Sequence, residues 1–239
     1  QDILHGEWGY DGAVVTDWGG SNDHVEGVRE GSTLEMPCPG FGSAKRLMQA
    51  VEEGRLPESA VDARVDELLE LVFTTDAAVQ AAPKRFDRNA HHALARRAAA
   101  ESVVLLKNVD DLLPLKPGQS VALIGDFAQT PRYQGAGSSS VNATRVDNLK
   151  DAAEADDITL AGFCAGYERS GTPNPAFVEE AAALARKADV AVLCMGLDES
   201  SESEGLDRSH ICIPENQKQQ LEAVAQANEN LMVVLSAGS

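Results

Sequence analysis

No apolar run in the 239-residue sequence reaches the ~20 residues that cross a bilayer, which excludes a transmembrane helix. Basic residues are scarce: 20 Lys and Arg stand against 38 Asp and Glu, for a net charge of −18. So acidic a surface repels a phosphate backbone and an anionic membrane, so neither nucleic acid nor a membrane surface is an expected partner. Neutral sugars meet no such barrier, and the charge also favours solubility. The four cysteines, Cys38, Cys164, Cys194 and Cys212, form no C-x-x-C pair. That leaves a zinc site or a redox motif without support. Cys194, inside VAVLCMG, reads as a buried free thiol. Phosphate-binding G-x-x-x-x-G-K-[ST] and G-x-G-x-x-G, the zinc motif H-E-x-x-H and the serine-hydrolase elbow G-x-S-x-G are all missing. No cofactor or metal is expected. The chain starts at Gln1 and shows no basic segment followed by an apolar one, so no signal peptide is visible. The unpaired cysteines lean towards the cytoplasm.

What is present is the composition of a globular protein, 43% hydrophobic and 24% charged. At about 150 residues per domain the length is worth roughly 1.6 domains, an awkward fraction. In HGEWGYDGAVVTDWGG a short apolar strand, Ala13 to Val15, ends at Thr16-Asp17-Trp18 and a Gly pair. A helix-like stretch, STLEMP and two helical segments follow. The second of these carries Val61, Val65, Leu68, Leu69 and Val72 at helical spacing, with Pro57 near its start. This order suits an α/β barrel or sheet. Residues 76–89 hold a proline, mixed charges and little periodicity, and read as a linker between a first domain (1–75) and a second (90–239). From 90 onward a helix leads into VVLLKN, and then apolar strands SVALIGD, ITLAGF, DVAVLCMG and LMVVLSAG alternate with helices. Continuous apolar strands of this kind predict a mainly parallel sheet covered on both faces. Both ends of the chain read as cut within a domain.

Three places could carry chemistry. Asp17 ends an apolar strand, beside Trp18 and the glycines, and in a β/α barrel that end is where loops converge on the active site. A carboxylate there can be a nucleophile, and the indole offers a face for a sugar ring. The alternative is that Asp17 caps the next helix. The second place is LDESSESEGLDRSH, after the strand DVAVLCMG, with Asp198, Glu199, Glu202, Glu204 and Asp207 together and Arg208 and His210 nearby. It lies where α/β folds place ligands, and crowded carboxylates lift one pKa towards that of a general acid. A solvated acidic loop and an oxygen-ligand cation site are the alternatives, although the calcium-loop spacing is absent. The third is YQGAGSSSVNATRV, a Gly/Ser-rich loop that hydrogen-bonds a neutral ligand or simply packs. His91 and His92 read as ordinary residues of a surface helix.

Several blocks in fixed order resemble glycoside hydrolase family 3, the β-glucosidase family. HGEWGYDGAVVTDWGG resembles its nucleophile segment with Ser/Thr-Asp-Trp, and GSTLEMPCPG its Gly-x-x-Leu-Glu-Met-Pro segment. AAAESVVLLKNVDDLLPL resembles the start of its second domain, and ESEGLDRSHICIPENQ the loop that brings the acid/base. The resemblance implies an α/β fold: the C-terminal part of a (β/α)8 barrel over 1–75, then most of an (α/β)6 sandwich over 90–239. It implies Asp17 as nucleophile, Trp18 and Met36 as substrate-binding residues, and the acid/base in ESEG. Glu202 is the first choice, from a Glu-x-x-Gly pattern, and Glu204 the alternative, from members with Gly-Glu-Gly. The implied activity is retaining, exo-acting release of β-D-glucose from β-glucosides or oligosaccharides, with the two carboxyls about 5–5.5 Å apart. A β-xylosidase or another family glycosidase is the runner-up, and a non-catalytic α/β carbohydrate-binding module the competitor from another class. The family's earlier barrel strands would precede Gln1, so a fragment inactive on its own is expected.

Overall fold

A computed structural model describes residues 2–37, 40–83, 85–156 and 158–238. Its contacts divide the chain into two compact units, Gln1–Arg88 and Asn89–Ser239.

In the first unit the expected strand at 13–15 is reduced to a single parallel bridge, Val15 to Leu34. The segments run side by side. Thr33 and Leu34 donate to the carbonyl of Val14 at 2.8 and 3.1 Å, and Thr16 donates to that of Leu34 at 3.0 Å. The ladder stops early because Val14 N–H goes to a side chain, Thr33 Oγ1, at 2.9 Å. Helix α1 (His24–Arg29) follows, then α2 (Phe41–Glu52) and α3 (Glu58–Ala81). They meet around Val28, Ala50 and Leu56, with Val61 packed against them. Arg64 of α3 is buried, donates to the Val28 carbonyl at 3.2 Å and pairs with Glu67. Glu67 also accepts from Thr33 Oγ1 at 2.7 Å, which ties α3 to the segment beside Asp17.

One local reading of the sequence needs correction. Residues 76–81, read as linker, are the last turns of α3. The alanines there are strong helix formers without needing an apolar face. The helix stops because Pro83 forces the residue before it out of the helical region, and Ala82 has ψ of 150°. The stripe on α3 has the right period, yet Val65, Leu69 and Val72 are exposed.

Helix α4 (Arg88–Glu101) opens the second unit from its second residue and precedes β1 (Ser120–Ile124), α5 (Leu149–Ala155), β2 (Thr159–Cys164), α6 (Pro175–Ala185), β3 (Val190–Gly196), α7 (Glu215–Ala227) and β4 (Leu231–Ser236). The four strands read from the sequence pair parallel in the order β2-β1-β3-β4. All seven residues of β3 are buried, as its unbroken apolar run predicts. Asn174 starts α6 by accepting from Ala176 N–H at 3.2 Å, with Pro175 in the first turn. The chain leaves β1 for β2 on one side, then crosses back to β3 on the other. The loops after β1 and β3 therefore flank the point where the strand order reverses, the usual ligand position of such sheets. Glycine is required at both strand ends. A Cβ on Gly125 would lie 2.0 Å from the Cys194 carbonyl oxygen, and one on Gly196 would lie 1.9 Å from that of Ser236.

Candidate active site

Asp17, Trp18 and Met36 lie in the first unit, and Glu202 and Glu204 in the second. Asp17 does not cap the next helix: Asp23 does, accepting from Glu26 N–H at 3.1 Å. The Asp17 carbonyl instead closes a tight turn by accepting from Gly20 N–H at 3.0 Å. Gly19, third in that turn, has φ of +71°, a conformation that glycine adopts without penalty. The strand side is fixed by Thr16, whose Oγ1 accepts from Met36 N–H at 2.9 Å and donates to the Met36 carbonyl at 3.3 Å. The Asp17 side chain is exposed, and its Oδ1 accepts from Trp18 N–H at 2.8 Å. Trp18 leaves 70% of its surface exposed, so its indole is open to a ligand. Met36 meets Thr16 through its backbone, and its side chain is exposed.

The acidic loop after β3 is ordered by a partner for each of four carboxylates. Asp198 accepts from Ser201 N–H at 2.8 Å and from the Ser200 hydroxyl at 2.9 Å. Burial pushes the Asp198 pKa up, and the bonds from Ser201 and Ser200 more than reverse it. Glu199 faces Arg169 at 3.5 Å. Glu202, with 9% of its side chain exposed, pairs with Arg132 and lies 3.5 Å from Arg208. It also accepts from Gly238 N–H at 2.9 and 3.0 Å. Arg132 further donates to the Leu197 carbonyl at 3.1 Å, so it fastens the loop after β1 to the loop after β3. Glu204 is exposed, and its Oε2 accepts from Ser138 N–H at 2.6 Å. Bonding from Ser138, through its hydroxyl and then its N–H, holds the Glu204 carboxyl below the ordinary glutamate range against the effect of burial. Crowding was expected to lift one of these pKa values. It does not do so at Asp198 or Glu204, because bonded donors outweigh distant like charges.

Cys164 and Cys194 are buried free thiols that burial pushes up to about 12, which leaves them unreactive at neutral pH. Cys38 lies outside the described residues. Among the described residues no group of three or more His, Cys, Asp or Glu is placed to hold a metal ion. No helix there is long and apolar enough to cross a membrane.

Residues 103–239 match the model of the glycosyl hydrolase family 3 C-terminal domain. The chain belongs to glycosyl hydrolase family 3. It is 43% identical over its whole length to thermostable β-glucosidase B of Acetivibrio thermocellus, of which it covers 32%. An exo-α-(1→6)-L-arabinopyranosidase of Bifidobacterium longum is 40% identical over all of this chain, again covering 32% of that protein. The crystal structure of a Bifidobacterium adolescentis family 3 β-glucosidase superposes with a TM-score of 0.92 at 39% identity, covering all of this chain and 35% of that one. The chain thus spans about a third of the length of these family 3 relatives.

Within the family 3 segment, the partners of the two glutamates escaped the sequence reading. Arg132 lies 70 positions from Glu202 and Ser138 lies 66 from Glu204. No local spacing signals either pair. The available hint was that the Gly/Ser-rich loop and the acidic loop follow β1 and β3, and the structure pairs these strands as neighbours.

Proposed function

We propose that this chain carries the two catalytic carboxyl groups of a retaining, exo-acting β-glycosidase that releases β-D-glucose from β-glucosides. In this reading Asp17 is the nucleophile and Glu204, rather than Glu202, is the acid/base. Residues 1–75 are then the C-terminal part of a (β/α)8 barrel, and 90–239 the N-terminal part of an (α/β)6 sandwich. The observation that carries the reading is Asp17 itself: an exposed carboxylate on a glycine-closed turn, next to an open indole, with no helix to cap.

The chemistry follows from the groups present. A carboxylate oxygen of Asp17 attacks the anomeric carbon while Glu204 gives its proton to the departing glycosidic oxygen, leaving a glycosyl ester on Asp17. Glu204, now ionised, takes a proton from water, which attacks the same carbon. The Asp17 ester bond breaks, and the sugar leaves with its anomeric configuration unchanged. Trp18 supplies an apolar face for the ring. Glu202 suits the proton-transfer role less well, since two guanidinium groups and a backbone N–H occupy its oxygens.

An α-L-arabinopyranosidase is a second reading, favoured by the 40% identical relative with that activity. Both pyranosides present an equatorial anomeric oxygen, so the same carboxyls would serve. Nitrophenyl β-D-glucoside, β-D-xyloside and α-L-arabinopyranoside assayed side by side rank these readings, and fastest nitrophenol release from the glucoside is expected. Asp17→Gly in the full-length protein should abolish turnover yet still bind glucose. Turnover equal to wild type overturns the nucleophile assignment, and a wild type with no turnover at all favours a binding module. Glu204→Ala should cut hydrolysis of an unactivated disaccharide by about 10²–10⁴-fold. Azide should then intercept the glycosyl ester as β-glucosyl azide. The same azide product from Glu202→Ala and not from Glu204→Ala would return the role to Glu202.

A further inference from the structure

We infer that the Gly137–Ser138 peptide is the positioning device for Glu204, holding its carboxylate in one place through a backbone donor and a missing Cβ. The inference rests on the acid/base reading of Glu204 for its functional meaning, but its geometry stands apart from that reading.

Three contacts converge on Glu204 from the loop after β1. Its own N–H donates to the Ala136 carbonyl at 3.1 Å, beside a parallel bridge between Ala136 and Ser203. Its Oε2 accepts from Ser138 N–H at 2.6 Å, a charge-assisted bond. Between these two, Gly137 has φ of +103°, and a Cβ there would lie 2.6 Å from Glu204 Cβ and 2.7 Å from Oε2. Any other residue at 137 would thus be strained in its backbone and would collide with the glutamate.

The loop that makes these contacts is itself closed. The Gln134 side chain accepts from Val141 N–H at 2.9 Å and donates to the Val141 carbonyl at 3.3 Å. Ser140 N–H donates to the Gly137 carbonyl at 3.2 Å. On the other side, Arg132 and the Gly238 N–H hold Glu202, two residues before Glu204. The backbone around Glu204 is therefore anchored upstream by an ion pair and alongside by a closed loop. An acid/base group held this way keeps the orientation that proton transfer needs, and an error of about 1 Å there can cost on the order of 10²-fold in rate. The Ser138 donor favours the ionised carboxylate, the form that must take a proton from water in the second half of the cycle.

The test starts with the 239-residue chain and needs no activity. The Ser138 amide proton should resonate far downfield and move upfield as acid titrates Glu204. Gly137→Ala should abolish that response and raise the Glu204 carboxyl midpoint. Ser138→Ala, which keeps the N–H, should retain the amide response. A Ser138 amide that ignores pH in the wild-type chain overturns the inference, whether or not Gly137→Ala folds. In the full-length protein Gly137→Ala should lower kcat by about 10–10²-fold with KM little changed, and shift the alkaline limb of kcat/KM to higher pH. An unchanged kcat overturns the functional part. If the amide responds but Glu204→Gln retains full activity, the device stands and the acid/base reading of Glu204 fails.

Discussion

Two glutamates two positions apart differ in every property that matters for their roles. Glu202 is enclosed by Arg132, Arg208 and a backbone donor, while Glu204 is exposed and held by one peptide. The Arg132–Glu202 pair is part-buried, and removing one member leaves the other charge without its partner, at a cost of about 1–3 kcal/mol. Arg132→Ala should therefore lower the unfolding free energy read from a urea titration by about that amount, and Glu202→Ala should destabilise in the same direction. Glu204→Ala should leave the midpoint where it is. Equal midpoints for the Glu202 and Glu204 variants would remove the structural role given to Glu202. The sequence made the pair of candidates visible and put Glu202 first, but it could not show the Arg132 partner, which comes from another loop. Asp17 stood out more in the sequence. A strand end followed by Trp and two glycines already separates it from ordinary aspartates, and Asp23 as the actual cap removes the competing explanation.

At the scale of elements, the second unit was readable because its strands are apolar throughout. The run VAVLCMG lies across the middle of the sheet with every residue buried. Leu193, fully buried there, should cost about 2–5 kcal/mol when cut to Ala, as urea unfolding would measure. The first unit was less readable. The apolar segment at 13–15 makes only one bridge because a threonine side chain takes a backbone donor, and no pattern of apolar residues reports that. Strand β3 is also tethered at its start. Asp189 accepts from Ser120 N–H at 2.7 Å and from its hydroxyl at 2.8 Å. The N–H first and the hydroxyl second hold the Asp189 pKa below its ordinary 3.8, against burial. A carboxyl with a depressed folded pKa stabilises fully above its unfolded value and loses that effect as pH falls through the folded one. Asp189→Asn should thus lower the urea midpoint at about pH 7 but match wild type at about pH 2. A deficit of the same size at both would show that the charge is not what matters.

At the scale of the whole chain, residues that cover 32% of a family 3 relative carry both proposed carboxyls, one on each compact unit. The order of the motifs along the sequence made the family legible, since four separate blocks had to coincide. Substrate preference was not legible. Relatives named for glucosides and for arabinopyranosides are 43% and 40% identical to the same residues. The net charge of −18 bears on partners through long-range fields. A neutral glycoside is not steered by such a field, so kcat/KM should change less than about twofold between low and high salt. A large salt effect would point to a charged substrate. The central claim is that Asp17 forms the bond to the sugar. Treating the full-length protein with a 2-deoxy-2-fluoro-β-glucosyl fluoride, which forms the glycosyl ester but hydrolyses it slowly, and mapping the labelled peptide tests this most directly. The fluoroglucosyl group is predicted on Asp17, in the peptide containing Thr16-Asp17-Trp18, and a label on any other carboxylate would contradict the account.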